Sequence, residues 1–237
     1  MDSMPHEILK YYLNLPRTTH IKLLGDSITH GVGGTNFSQN GYSFINDFAR
    51  NPNGYCWANL FKKHLENNYD CTVTNNACSG TNIQFIIENF DRLVDTNDDL
   101  IICTIGTNNR HRFFKDGDKP TKEELGNIFY KNLLKLHNMF KEANKKVIFI
   151  ANIPASLQNE QDGKDYWRVL HMDDINKIHK IASKDSDFPL ISMYDLFNQY
   201  CKENNLIIDS LLADSLHPND QGYDIIYTLL LKAFNLS

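Results

Sequence analysis

The sequence predicts an α/β fold, a mostly parallel sheet with helices on both faces. Three observations carry this. Five short runs are almost continuously apolar, as strands covered on both sides must be. Longer segments of helical period separate them, the alternation expected of a parallel sheet and its crossovers. No internal repeat, low-complexity tract or Pro/Ser-rich linker divides the 237 residues, so 1–237 reads as a single domain.

The strand runs are Ile21–Leu24, Cys71–Thr74, Leu100–Ile105, Val147–Ile153 and Leu190–Met193. Helices are expected at about Trp57–Asn67, Ile83–Leu93, Glu123–Ala143, Tyr166–Ala182 and Asp220–Phe234. In the third of these, Leu125, Ile128, Phe129, Asn132, Leu133 and Leu136 share one side. Thr121 and Glu124 spell a capping box at its start, and Asn219 is placed to cap the last helix. Right-handed crossovers put the loops after each strand along one edge of such a sheet. Ligands of open α/β sheets bind at that carboxyl edge. Functional residues are therefore expected directly after the apolar runs.

Composition narrows the function. The chain carries 24 Lys+Arg against 29 Asp+Glu, a formal net charge of −5. With no basic block it lacks the electrostatic footprint that phosphate backbones require, so nucleic acid is not an expected partner. No apolar run approaches the roughly 20 residues that span a bilayer. The opening Met1-Asp2-Ser3-Met4-Pro5-His6-Glu7 has neither the basic start nor the apolar stretch of a signal peptide. Cys56, Cys71, Cys78, Cys103 and Cys201 are odd in number and form no C-x-x-C pair. That pattern points to free thiols in a reducing compartment and away from structural zinc. The expectation is a cytoplasmic protein with no membrane partner.

Four short blocks carry the chemistry. Gly25-Asp26-Ser27-Ile28-Thr29-His30-Gly31 follows the first strand and sets Ser27 on a Gly-flanked turn, as an exposed nucleophile would sit. It is not the G-x-S-x-G elbow of α/β-hydrolases, because Thr29 stands where the second Gly belongs. Asn75-Asn76-Ala77-Cys78-Ser79-Gly80-Thr81-Asn82 follows the second strand, and Gly80 there can bring a backbone N–H close to a ligand. Ile105-Gly106-Thr107-Asn108-Asn109 follows the third, and the Asn108 amide can donate to a developing oxyanion. Asp214-Ser215-Leu216-His217-Pro218-Asn219 precedes the final helix. Its spacing lets Asp214 accept from the imidazole Nδ1–H and leaves Nε2 to take a proton from a serine. Each block alone has an ordinary reading as turn or cap chemistry. Together they supply every part that acyl transfer needs.

In order and in content, Gly25-Asp26-Ser27, the Gly80 block, Gly106-x-Asn108 and Asp214-x-x-His217-Pro218 resemble the four blocks of the SGNH (GDSL) hydrolase family. The resemblance spans about Gly25 to Gly222. It implies a flavodoxin-like, three-layer α/β/α sandwich of about five parallel strands. It also implies a cofactor-free and metal-free serine esterase, with Ser27, His217 and Asp214 as triad and the Ser27 N–H, Gly80 N–H and Asn108 amide as oxyanion hole. Asn109 departs from the pattern, since many members carry Asp there.

Aromatic residues in the same loops (Tyr42, Phe44, Trp57, Phe113, Phe114, Tyr166 and Trp167), beside Asn108, Arg110, His111 and Arg112, suit a sugar with apolar C–H faces and a hydroxyl rim. These aromatics can equally pack the loops onto the core. The expected substrate is a short acyl ester, chiefly O-acetyl, on a carbohydrate or similar polar alcohol. An acyltransferase using the same triad, a lysophospholipase and a thioesterase are the alternatives.

Overall fold

A computed structural model describes residues 4–38, 51–112, 120–161 and 167–236. In chain order the elements are α1 (Pro5–Leu13), β1 (Thr19–Gly25), α2 (Ser27–His30), α3 (Trp57–Asn68), β2 (Cys71–Asn75), α4 (Ile83–Glu88), α5 (Phe90–Leu93), β3 (Leu100–Thr104) and β4 (His111–Arg112). There follow α6 (Lys122–Glu142), β5 (Lys146–Ala151), α7 (Leu157–Gln161), β6 (Trp167–Arg168), α8 (Met172–Ser186), β7 (Leu190–Ser192), α9 (Met193–Glu203) and α10 (Asp220–Ala233).

The five expected strands form one all-parallel sheet in the order β2-β1-β3-β5-β7. Counting those strands along the chain, this is the flavodoxin-like arrangement, whose topological switch lies between β1 and β3. Because side chains alternate along a strand, β1, β3 and β5 each feed both faces. Ile21, Leu23, Leu100, Ile102, Ile148 and Ile150 pack with Leu9 of α1, Phe61 of α3, Phe197 of α9 and Phe234 beyond α10. Leu24, Ile101, Cys103, Val147 and Phe149 pack with Ile83 of α4, Phe90 of α5, Phe129 and Phe140 of α6 and Ile175 of α8. Two apolar layers with a sheet between them make the three-layer sandwich. Each fully buried side chain of this kind contributes roughly 1.5–3 kcal/mol. Lys22 interrupts the apolar run of β1. It is 1% exposed, with Nζ 2.6 Å from Asp95 and 3.5 Å from Asp98.

The Thr121–Glu124 capping box and the Asn219 cap are both present. Four details depart from the sequence reading. The helix expected over 83–93 is broken at Asn89, whose amide donates to the Phe85 carbonyl and competes with the helical backbone. The helix expected from Tyr166, a residue outside those described, begins at Met172, since 167–168 pair antiparallel with 111–112. His171 N donates to Asp174 and opens α8 there, and Asp187 in the left-handed region closes it after Ser186. Ile128 is 46% exposed rather than packed, because the buried stripe of α6 centres on Phe129, Leu136 and Phe140. That stripe leaves residue 128 roughly 100° off axis. Finally, α1, α2, α7 and α9 have no counterpart in the sequence reading. Among the described residues no helix is long and apolar enough to cross a membrane, and all five cysteines are free.

Candidate active site

The site is built where β1 gives way to α2. Asp26 caps that short helix by accepting the Ile28 N–H at 3.0 Å, which fixes Ser27 as its first residue. Ser27 is 6% exposed. From the other end of the chain, the segment before α10 closes on itself. Leu212 bridges Pro218, and Ala213 N donates to the His217 carbonyl at 2.8 Å. Within that closed loop Asp214 Oδ1 accepts the backbone N–H groups of Leu216 and His217, each at 2.7 Å. Its other oxygen, Oδ2, lies 2.7 Å from His217 Nδ1, and His217 Nε2 lies 2.8 Å from Ser27 Oγ. With Nδ1–H donated to the carboxylate, Nε2 is left as the acceptor of the serine hydroxyl.

Gly33 explains how the loop comes so near. Its φ is +97°, and a Cβ there would sit 2.4 Å from the Pro218 carbonyl oxygen and 3.1 Å from His217 Cβ. The loop bearing the imidazole rests directly on the chain that leaves α2. Burial pushes the Asp214 carboxyl up, but hydrogen bonds from the His217 side chain and from the His217 and Leu216 N–H groups outweigh it. The group ends below its ordinary value and is ionised at neutral pH.

The two other blocks meet beside this pair. Gly80 is exposed in the turn after β2, at φ +83°, with nothing within 4 Å of where a Cβ would stand. Asn108 lies in the 3-10 turn after β3 and donates from Nδ2 to the Thr81 carbonyl at 2.8 Å, tying its turn to that of Gly80. An amide nitrogen carries two N–H groups, so this bond uses one of them. His30 Nδ1 lies 3.1 Å from Ser79 Oγ, which joins α2 to the same turn. Asn109 Oδ1 accepts the Ile83 N–H at 3.1 Å, so its side chain serves the start of α4. All five predicted residues therefore stand on one rim of the sheet, and Ser27, His217 and Asp214 form one hydrogen-bonded series.

Sequence reasoning missed the support beneath them. Asn152, 3% exposed and just beyond β5, donates to Asp26 Oδ2 at 2.9 Å and to Thr107 Oγ1 at 2.7 Å. This buried amide joins the Ser27 turn to the Asn108 turn across the sheet's edge. Asp26 is wholly buried, and burial pushes its carboxyl up to about 6 against the hydrogen bonds that favour its ionised form. The signal in the sequence is a polar residue inside the apolar run 147–153.

The model of the GDSL-like lipase/acylhydrolase family matches residues 23–225. The chain belongs to this family. As a GDSL-family member it is a carboxylic ester hydrolase. Solved structures share its fold. A protein from Parabacteroides merdae described as a GDSL-like lipase is 18% identical with a TM-score of 0.69, covering 95% of this chain and 99% of its own. The acetylxylan esterase Axe2 of Geobacillus stearothermophilus is 19% identical with a TM-score of 0.66, covering 93% and 96%. LAE5, an α/β hydrolase from the metagenome of Lake Arreo, is 20% identical with a TM-score of 0.68, covering 94% and 97%. Comparison with curated proteins gives no match.

Two of the residues expected to face substrate in this GDSL hydrolase are structural instead. Trp57 is 2% exposed at the start of α3, packed with Phe61 in the core. Arg110 is 1% exposed, with Nη1 3.3 Å from Glu160 and Nη2 donating to Asn159 at 3.1 Å. A guanidinium so enclosed holds loops together and presents nothing to a sugar. Tyr42, Phe44, Phe113, Phe114 and Tyr166 lie outside the described residues, as do the side chains of His111, Arg112 and Trp167.

Proposed function

We propose that this protein is a serine esterase that removes short acyl groups, O-acetyl first among them, from a carbohydrate or similar polar alcohol. Ser27 is the nucleophile, His217 the general base and Asp214 the group that holds the imidazole's tautomer. The observation that carries this reading is the unbroken series Ser27 Oγ to His217 Nε2 at 2.8 Å and His217 Nδ1 to Asp214 Oδ2 at 2.7 Å.

As Oγ attacks the ester carbonyl, its proton passes to Nε2. The resulting oxyanion is received by the Ser27 and Gly80 N–H groups and the Asn108 amide. Collapse expels the alcohol, which takes the proton from His217, and leaves an acyl-enzyme. A water that gives its proton to His217 then attacks the acyl-enzyme. The second collapse frees the acid, and the proton returns to Ser27 Oγ. Each oxyanion donor is worth about 3 kcal/mol of barrier.

The choice of acetyl draws on the fold shared with an acetylxylan esterase. Nothing in the described sequence suggests an amphipathic helix for aggregated lipid. The test compares p-nitrophenyl esters from acetyl to octanoyl with acetylated sugars, for the wild type and Ser27→Ala. A steep fall in rate beyond butyryl, abolished turnover in the variant and release of acetate from sugars are expected. A rise towards octanoyl would reject the substrate class, and wild-type turnover in Ser27→Ala would reject the mechanism.

A further inference from the structure

The loop carrying Asp214 and His217 is gripped from one side by a buried turn that no step of the reaction uses. Ser156 N donates to the Ser215 carbonyl at 3.0 Å. Asn159 Nδ2 donates to Ser215 Oγ at 2.9 Å, while Asn159 N donates to Ser156 Oγ at 3.0 Å. The other end of the Asn159 amide, Oδ1, accepts from Arg110 Nη2 at 3.1 Å, and Arg110 Nε donates to the Thr107 carbonyl at 3.0 Å. Ser156 and Asn159 are 4% exposed and Arg110 1%. One enclosed amide thus spans two turns: that of Asn108, through Arg110 and Thr107, and that of the imidazole, through Ser215.

We propose that Asn159 is a positioning residue for the esterase reaction, holding Ser215 against Arg110 so that His217 Nε2 stays at bonding distance from Ser27 Oγ. The proposal rests on the triad reading above. Its physical basis is that buried amides and guanidinium groups keep their partners, because an unpaired polar group costs free energy in a site closed to water. Ser215 sits next to Asp214 and two residues before His217, so a shift at Ser215 is a shift of both. Asn159 touches no reacting atom. Its effect therefore falls on the rate of the chemical step, while affinity for the ester is left alone. A displacement near 1 Å at a reacting pair can cost roughly 100-fold.

The test uses four variants of the full chain, with kcat and KM on p-nitrophenyl acetate measured well below each melting temperature. Asn159→Leu and Ser215→Ala should each lower kcat roughly 10-fold or more with KM nearly unchanged. The double variant should be no worse than the poorer single one, since both remove the same link. Ser215→Thr, which keeps the hydroxyl, and Asn159→Asp, which can accept from both Arg110 and the serine hydroxyl, should recover most of the rate. A purely structural contact would lower the melting temperature and leave kcat alone in Ser215→Ala, which overturns the proposal, as does strict additivity in the double variant. Should Asn159→Leu fail to fold, the Ser215 pair decides by itself. Ser27→Ala measured alongside separates the two claims: near-normal turnover there overturns the triad, and lost turnover there with normal kcat in Ser215→Ala overturns only the role of Asn159.

Discussion

Ser27 Oγ and His217 Nε2 lie 2.8 Å apart although 190 positions separate the two residues in the chain. In the proposed mechanism the serine proton passes directly to the imidazole. Two groups that act as one unit lose function as one unit. Ser27→Ala and His217→Ala should each lower kcat by roughly 10⁴-fold or more, and the double variant should fall no further. Steady-state rates on p-nitrophenyl acetate decide it, and multiplicative losses would show that the two act separately.

Asp214 is the most exposed member of the series, with 55% of its side chain open to solvent. Water can replace part of what its carboxylate does for the imidazole. Asp214→Asn should accordingly cost less than loss of the serine, roughly 10²–10⁴-fold in kcat. A loss as deep as that of Ser27→Ala would contradict this ordering.

As the proposed oxyanion donor, Asn108 would act on charge that exists only in the transition state, so Asn108→Ala should lose roughly 10²–10³-fold in kcat with little change in KM. A rise in KM at constant kcat would place Asn108 in ground-state binding instead.

Two buried groups pull the pH dependence of stability in opposite directions. Burial raises Asp26 from 3.8 to about 6, so its stabilising contribution is full below pH 3.8 and is lost as pH rises to 6. Burial also lowers His179 from 6.5 to about 4, against the bond to the Ile105 carbonyl, so its contribution is full above pH 6.5 and is lost as pH falls to 4. Each is worth about 3 kcal/mol over its window. Relative to the wild type, Asp26→Asn should gain stability as pH rises from 4 to 6, and His179→Gln should gain as pH falls over the same range. Urea denaturation at pH 4, 5 and 6 reads both slopes, and slopes of the same sign would refute the pair.

Lys22 is enclosed within the sheet's flank and neutralises Asp98, itself 6% exposed, while Asp95 reaches it from the surface. Removing the cation strands a carboxylate, so Lys22→Ala should destabilise by about 3–5 kcal/mol with kcat of the folded protein unchanged. Chemical denaturation and activity on the same sample separate the two effects.

The sheet and the candidate site were legible because their signals are local. A run such as Leu100–Thr104 reads as a strand whatever surrounds it, and Asp214 and His217 announce their pairing by a spacing of three. The partners of Asn152 and Asn159 were not legible, because neither residue type nor neighbours reveal groups 126, 45 or 56 positions away. Arg110 misled for the same reason: a basic residue beside the Asn108 block looks like a ligand contact until Glu160 and Asn159 enclose it. Helix α9 begins inside the apolar run Leu190–Met193, with Ser192 serving both as the end of β7 and as the cap accepting the Asp195 N–H. The start of α1 carried a readable mark, Pro5 at its first position with Glu7 in the first turn.

The bridge between Leu212 and Pro218 has one further result. Asp214 and His217 occupy a ring of backbone fastened at its neck, so a displacement of that ring moves both side chains together.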